Sequence, residues 1–470
     1  MPTRRDLIKM GLLGAASLSG ACSPLRPPGS PAESGADQRF LDDVHRRTFR
    51  FFWETTSPRN GMARDRFPTP SFASMAAVGF ALTACPIGVE RGYVRRGEAA
   101  ERVLATLRFL AAAPQGEAPS GMTGHKGFFY HFVDMETGTR FERTELSTVD
   151  TALLLAGILF CQGYFDGAGE GEIRDLADRI YARVDWRWAQ ARPPLVALGW
   201  SPEQGHLPYD WVAYSEAMLV YILGLGSPTL PLEPASWSGW SAGLASRWGG
   251  EAGQEFVRFG PMFGHQYSHI WIDFRGIRDA FMREKGIDYF ENSRRATLAQ
   301  HAYGLANPLG WRGYGPDLWG LTACDGPADV TVEVDGRTRT FRTYSARGPG
   351  DFDDGTVAPT AAGGSVPFAP EICIPTLRAM QRNHGEHLYG AYGFLDALNP
   401  SFTAAHPAMR HGKLVPGRGW YDTDYLGIDQ GPILAMIENH RSGLIWEVLR
   451  GNPHIRRGLR RAGFTGGWLG

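Results

Sequence analysis

Residues 210–227 read DWVAYSEAMLVYILGLGS, a run that is apolar on nearly every side of a helix, with one carboxylate, Glu216, beside Ser215 at its centre. A helix that is hydrophobic all round is a buried one. A carboxylate inside it is costly unless it is paired, neutralised or put to use. Nearly continuous apolar character returns at 147–165, and 72–83 reads as a helix rich in Ala, whereas 93–113 and 172–184 are amphipathic and charged on one face. Buried helices therefore alternate with solvent-facing ones. Apolar residues recur at helical spacing from Phe40 to Trp53, and again at 268–281, 289–305, 367–382, 428–441 and 453–462. That is roughly twelve helices, and two concentric rings of six, an all-α (α/α)6 toroid, explain the alternation. No βαβ rhythm points to a parallel sheet, and no strong sequence repeat is present. Extended character is confined to 127–143, turning at Glu136-Thr137-Gly138, and to a small insertion. There, 330–344 reads as a β-hairpin turning at Asp335-Gly336 between the loops 311–326 and 348–364.

The chain of 470 residues, with a net charge of -1, has neither a basic face for nucleic acid nor a like-charged tail, and no protein partner is indicated. Thr3-Arg4-Arg5-Asp6-Leu7-Ile8-Lys9 followed by a short apolar stretch reads as a twin-arginine export signal, so residues 1–22 are expected to direct the protein to the periplasm. Ser19-Gly20-Ala21-Cys22 resembles a lipobox, with Ser19 where that motif prefers Leu, so both a membrane tether through Cys22 and a free periplasmic product fit. Residues 23–38 read as a flexible tether and 39–470 as one catalytic domain. The remaining cysteines, Cys85, Cys161, Cys324 and Cys373, are widely spaced and form no metal pattern.

Gly, Trp, Tyr and Asp concentrate in three stretches read as loops, 263–271, 311–325 and 419–430. Loops at one end of a toroid build a cleft, and aromatic faces mixed with hydrogen-bonding side chains suit sugar rings. The candidate substrate contacts are Trp211 and Tyr214 near Glu216, then His265, Gln266, Tyr267, His269 and Trp271, then Trp319 and Asp325, and finally Tyr425. For the tryptophans a core role is the competing reading. His265 and His269, at i,i+4, have the spacing of a zinc pair but no evident third ligand.

Four carboxylates are catalytic candidates. Glu216 in apolar surroundings would have a raised pKa and donate a proton near neutral pH; an interior pair with Arg is the alternative. Glu145 enters the 147–165 helix, and Asp150 stands three residues after Ser147 as in a capping box. Asp429, in Gly427-Ile428-Asp429-Gln430-Gly431-Pro432, reads as a helix N-cap that keeps its charge. A protonated and an ionised carboxyl facing each other are what glycosidic cleavage requires, about 6.5–9.5 Å apart in an inverting enzyme. Asp422 and Asp424 are alternatives for the base.

Four blocks, ELSTVDTALLLAGIL from Glu145, YDWVAYSEAMLVYILGLGSP from Tyr209, FGHQYSHIWIDFRGI from Phe263 and YLGIDQGPILAMIENHRSGLIW from Tyr425, resemble the glucoamylase-like bacterial family that contains the endo-β-1,2-glucanases of glycoside hydrolase family 144. The resemblance runs from about Phe40 to the end of the chain. It implies an (α/α)6 toroid that hydrolyses linear β-1,2-glucan to sophoro-oligosaccharides, with inversion and with no metal or cofactor. It places Glu145, Asp150, Glu216 and Asp429 among the important acids, with Glu216 as general acid. Residues 330–364 match none of the four blocks, which leaves exo action an alternative. Two other readings compete: a polysaccharide lyase using His265, His269 and Arg275, and a glycan-binding lipoprotein without turnover.

Overall fold

A computed structural model describes residues 34–470. The expected export signal and residues 23–33 of the expected tether lie outside the described residues. Residues 35–38 are not tether: the first helix, Gly35–Thr55, begins there, because Ser34 and Asp37 form a reciprocal capping box.

The fold is an (α/α)6 toroid. The inner ring consists of Met75–Glu90, Thr148–Tyr164, Met218–Gly226, Phe263–Trp271, Pro359–Gly363 and Gly427–Arg441. Successive members pack side by side, and Gly427–Arg441 closes the ring on Met75–Glu90. The join between Phe263–Trp271 and Pro359–Gly363 is polar: Gln266 donates to the carbonyls of Thr360 and Ala361 and to Ser365. Each inner helix has an outer partner: Gly35–Thr55, Arg96–Ala112, Gly171–Ala182, Tyr289–Ala306 and Pro370–Leu388 in chain order, and Pro453–Arg461 out of order. The last of these returns to cover Met218–Gly226, where Gly226 and Gly458 allow backbone contact.

Inner helices are enclosed by neighbours and by the outer ring, which is why Met75–Glu90, Thr148–Tyr164 and Met218–Gly226 are apolar nearly all round. Met75–Glu90 and Thr148–Tyr164 touch backbone to backbone through Gly79 and Gly157, where an added Cβ would stand 2.2–2.5 Å from a carbonyl oxygen of the opposite helix. Both helices start on a serine cap, Ser74 and Ser147.

Four expectations about elements need correction, the first being the helix at 268–281: residues 272–279 are not helical and separate Phe263–Trp271 from Ala280–Lys285. Residues 210–217 are not helical: the helix is Met218–Gly226, so Glu216 precedes its first turn instead of sitting in its middle. Asp210 is held by Arg192, Trp211 N–H donates to Val196, and Ala213 adopts φ +58°, the left-handed region that ends a helix. Residues 263–271 are a helix rather than a loop. Asp429 is not an N-cap: Leu426 holds that place, and Asp429 lies in the first turn of Gly427–Arg441.

The hairpin forms as expected, Val330–Val334 against Arg337–Phe341, with Asp335 and Gly336 both at positive φ. Further short strands decorate the N-terminal ends of the inner helices. A five-stranded sheet pairs Phe128–Tyr130 with Leu146–Ser147, and Arg66–Phe67 pairs with Tyr425–Leu426.

Candidate active site

The acidic candidates gather at the N-terminal end of the inner ring. The register that sets Phe129 opposite Ser147 and Tyr130 opposite Leu146 brings the next pair, His131 and Glu145, face to face, with His131 N–H donating to the Glu145 carbonyl. Their side chains meet at 2.9 Å, and the other ring nitrogen of His131 lies 3.5 Å from Asp150. Burial opposes a charged imidazole here, but Asp150 and Glu145 outweigh it and raise His131 to about 9. Burial alone would raise Glu145, yet its bond to His131 pulls it below the usual range. Asp150 also accepts from the Ser147 hydroxyl while Ser147 caps its N–H, so the capping role and a site role coexist.

Glu216 sits beside this group. Burial, with the charge of Asp150 adding to it, pushes its pKa up to about 7. Among the described residues no Arg or Lys pairs with it, and its Oε2 has no hydrogen-bond partner. The interior-ion-pair alternative is therefore excluded in this structure.

A second acidic group stands on the strand Tyr425–Leu426 and its neighbours. Arg66 bonds Asp325 through both terminal nitrogens, at 2.7 and 3.3 Å, and lies 3.4 Å from Asp65 and 3.7 Å from Asp424. Asp325 N–H donates to Asp396 at 2.7 Å, and Asp396 N–H to the Asp424 carbonyl. Asp429 and Asp396 act on each other at close range, and Asp396 Oδ1 and Asp429 Oδ2 have no hydrogen-bond partner, so the two carboxyls favour holding one proton between them. Burial raises both, reinforced by the charges of Asp325 and other neighbours. Asp422 is raised by burial and by Asp325 as well. The expectation that the helix end keeps Asp429 ionised is therefore corrected. A helix terminus supplies about 0.3–1 kcal/mol, and enclosed carboxylates outweigh it. Asp325, Asp396 and Asp422 bring one oxygen each within 4.8 Å of one another, a spacing a hard cation accepts, although Arg66 already places its charge on Asp325.

Tyr267 links the two groups. It lies in helix Phe263–Trp271, and the charges of Asp429, Glu216 and Asp150 all reach its hydroxyl. Pro432 has no N–H to offer the Ile428 carbonyl, and Tyr267 donates there at 3.5 Å instead. Trp211 is half-buried, with its indole N–H on Thr148 at 2.9 Å, at the start of the helix that carries Asp150.

The other aromatic and histidine candidates are core residues. Trp271 and Trp319 are fully buried and donate to Thr83 and Thr376. Tyr214 stacks on Tyr289, and Tyr425 packs on Phe51 and Tyr392. Gln266 stitches the inner ring. His265 is held at about 3 by burial, His269 is lowered likewise, and the two bond to the Phe259 carbonyl and to Ser293. A ring of this diameter needs large side chains to fill its centre, and these serve that need. His131, Asp65, Arg66 and Asp396 belong to the site without having been singled out from the sequence. His131 lies between the strands Phe128–Tyr130 and Phe132–Val133, Asp396 between Gly393–Phe394 and Leu398–Asn399, and Arg66 opens Arg66–Phe67; strands this short carry no period against which a charge stands out.

The family model Glycoamylase, described as "Putative glucoamylase", matches residues 208–453. A crystal structure from Bacteroides uniformis with that same description is 32% identical, covers 93% of this chain and 100% of its own, and superposes with a TM-score of 0.79. The endo-β-1,2-glucanase of Chitinophaga pinensis, solved with sophorotriose and glucose, is 28% identical, covering 93% of this chain and 100% of that one, at a TM-score of 0.75. An exo β-1,2-glucooligosaccharide sophorohydrolase of Parabacteroides distasonis is 28% identical over 460 residues, 90% of this chain. The chain spans 58% of that protein's length. The chain belongs to the Glycoamylase family of (α/α)6 proteins.

Proposed function

We propose that this chain is a glycoside hydrolase that cleaves β-1,2-linked glucan with inversion at the anomeric carbon. One observation carries the reading: a lone carboxyl kept neutral by burial, Glu216, stands across Tyr267 from a carboxyl pair, Asp396–Asp429, that shares a proton. Glu216 gives its proton to the glycosidic oxygen as the C1–O bond breaks, directly or through a substrate hydroxyl. Water adds to C1 from the opposite face, and its proton goes to Asp429 in those molecules in which the Asp396–Asp429 pair holds a single proton and so has an anionic oxygen to accept a second. Glu145, His131 and Asp150 offer acceptors and a donor to sugar hydroxyls on the Glu216 side, and Asp150 keeps Glu216 protonated by its charge. The similarity to β-1,2-glucanases supports the linkage.

We take the action to be endo. Export by the twin-arginine route to the periplasm, with Cys22 as a site for lipid, is part of the same proposal and rests on residues 3–22. A lyase has no support in the geometry: His265 and His269 are core, and Arg275 is paired with Asp273.

Incubation with a panel of linear β-glucans, followed by reducing-end assay and chromatography, tests the reading. A ladder of mixed lengths from β-1,2-glucan alone is expected. Release of sophorose only would assign exo action, and no new reducing ends would leave a binding protein.

A further inference from the structure

We propose that Tyr344 is an aromatic platform on which a sugar ring stacks above the Asp396–Asp429 pair, and that it sets how tightly longer glucans are held. The inference rests on the hydrolase reading above and adds to it a residue from the insertion.

Tyr344 follows the hairpin strand Arg337–Phe341 and precedes Ser345–Ala346, which pairs with Ala323–Cys324 and so sits directly before Asp325. The residue is 48% exposed, one of the few large hydrophobic residues left open among the described residues. Yet its hydroxyl reaches inward, where the charges of Asp429, Asp396 and Asp65 act on it, and Tyr344 in turn acts on Tyr267. Among the described residues its ring stacks on no other ring, and no protein group bonds its hydroxyl. An open ring face beside a reactive carboxyl pair, with no packing role of its own, is a surface that a ligand completes.

The loop is built to hold that face still. Arg347 is fully buried and spends its guanidinium on the segment around Tyr344. It donates to the carbonyls of Arg342 and Thr343 on one side, to those of Ser345 and Cys324 on the other, and to both carboxylate oxygens of Asp354. Gly326 leaves no room for a Cβ against the Arg342 carbonyl and the guanidinium, so the clamp is tight. Such an arrangement costs a buried ion pair, and a hairpin that merely covered the body would not need it. A pre-set aromatic plane loses little entropy when a pyranose lays its C–H face on it. Burial and the neighbouring carboxylates keep the phenol protonated, so its O–H remains a donor to a sugar hydroxyl.

The test compares Tyr344→Ala, Tyr344→Phe and Tyr344→Trp on β-1,2-gluco-oligosaccharides of increasing length. Titration calorimetry of linear β-1,2-glucan into the same changes made on the Glu216→Gln protein accompanies it. Tyr344→Ala should raise KM for long substrates about tenfold with the loss falling on KM rather than kcat, and should weaken binding equally. The two aromatic replacements should recover most of the loss in KM, short of the hydroxyl's own hydrogen bond. Melting temperatures should differ little among the variants, because the side chain is half exposed and no ring stacks on it. Unchanged KM and binding in Tyr344→Ala would overturn the platform, as would Tyr344→Phe failing as badly as Tyr344→Ala. If the unaltered protein binds the glucan but cuts none, the hydrolase reading fails while the calorimetry still decides the platform.

Discussion

Replacing Glu216 by Gln separates what this residue does for catalysis from what it costs the fold. Its pKa is raised from an ordinary 4.5 to about 7 by burial, with Asp150 adding to the effect. Each pH unit corresponds to about 1.4 kcal/mol, so holding the carboxyl neutral against the unfolded chain costs ~3 kcal/mol at pH 8. The sign follows from which state ionises first. Below pH 4 both states are protonated and nothing is lost. Between about 4.5 and 7 the unfolded chain ionises while the folded one does not, and stability falls. Above about 7 the loss is complete. Gln cannot ionise, so the variant should become more stable relative to the parent as pH rises, by ~3 kcal/mol between pH 4 and pH 8. Over the same change activity should fall at least ~100-fold, the usual contribution of a general acid. Chemical denaturation of both proteins at pH 4, 6 and 8 reads the first effect, and initial rates on β-1,2-glucan read the second. A stability difference that does not vary with pH, or that falls as pH rises, would refute the reasoning, because it would mean Glu216 is already ionised in the folded protein.

Three other outcomes follow from the same structure. Asp150→Asn should shift the limb of kcat/KM that Glu216 sets, near pH 7, to lower pH, since burial raises Glu216 and the Asp150 charge adds to it; a pH–rate profile of both proteins checks this. Trp271→Ala should cost about 3–5 kcal/mol of stability while leaving KM of the folded fraction unchanged, as denaturation and steady-state kinetics would show. Gly157→Ala should destabilise by about 1–3 kcal/mol, because its methyl would meet the Gly79 carbonyl at 2.2 Å and two inner helices would have to part; its melting temperature reports this.

The sequence carries the fold well where burial is uniform. Helices such as Thr148–Tyr164 are enclosed on every side, so their apolar character is nearly continuous and needs no partner to be recognised. Short helices are different: Pro359–Gly363 and Ala235–Ser241 span too few turns for a period to emerge. Glu216 is visible for the same reason as the helices, as a charge against an apolar background. Its true position before the helix is not visible, because the break at Ala213 is imposed by Trp240, whose carbonyl takes the Ala213 N–H, and not by a Gly or Pro. The protonation of Asp429 is hidden in a similar way. A helix end is local and predicts an anion, whereas Asp396, Asp325 and Asp65 come from distant segments and reverse the result. The aromatic residues mislead most. Trp271 and Trp319 look like sugar contacts in a motif, but the centre of a toroid is itself a large volume to fill, whereas Tyr344, which is open, stands in a stretch with no distinguishing pattern.

The most direct test of the account is the anomeric form of the first product. Proton NMR of linear β-1,2-glucan, recorded within the first minutes after adding the protein, should show the new reducing ends as the α-anomer, with the β-anomer growing only by mutarotation. New reducing ends that appear first as the β-anomer would contradict the assignment of Glu216 and Asp429 as acid and base on opposite faces of the sugar.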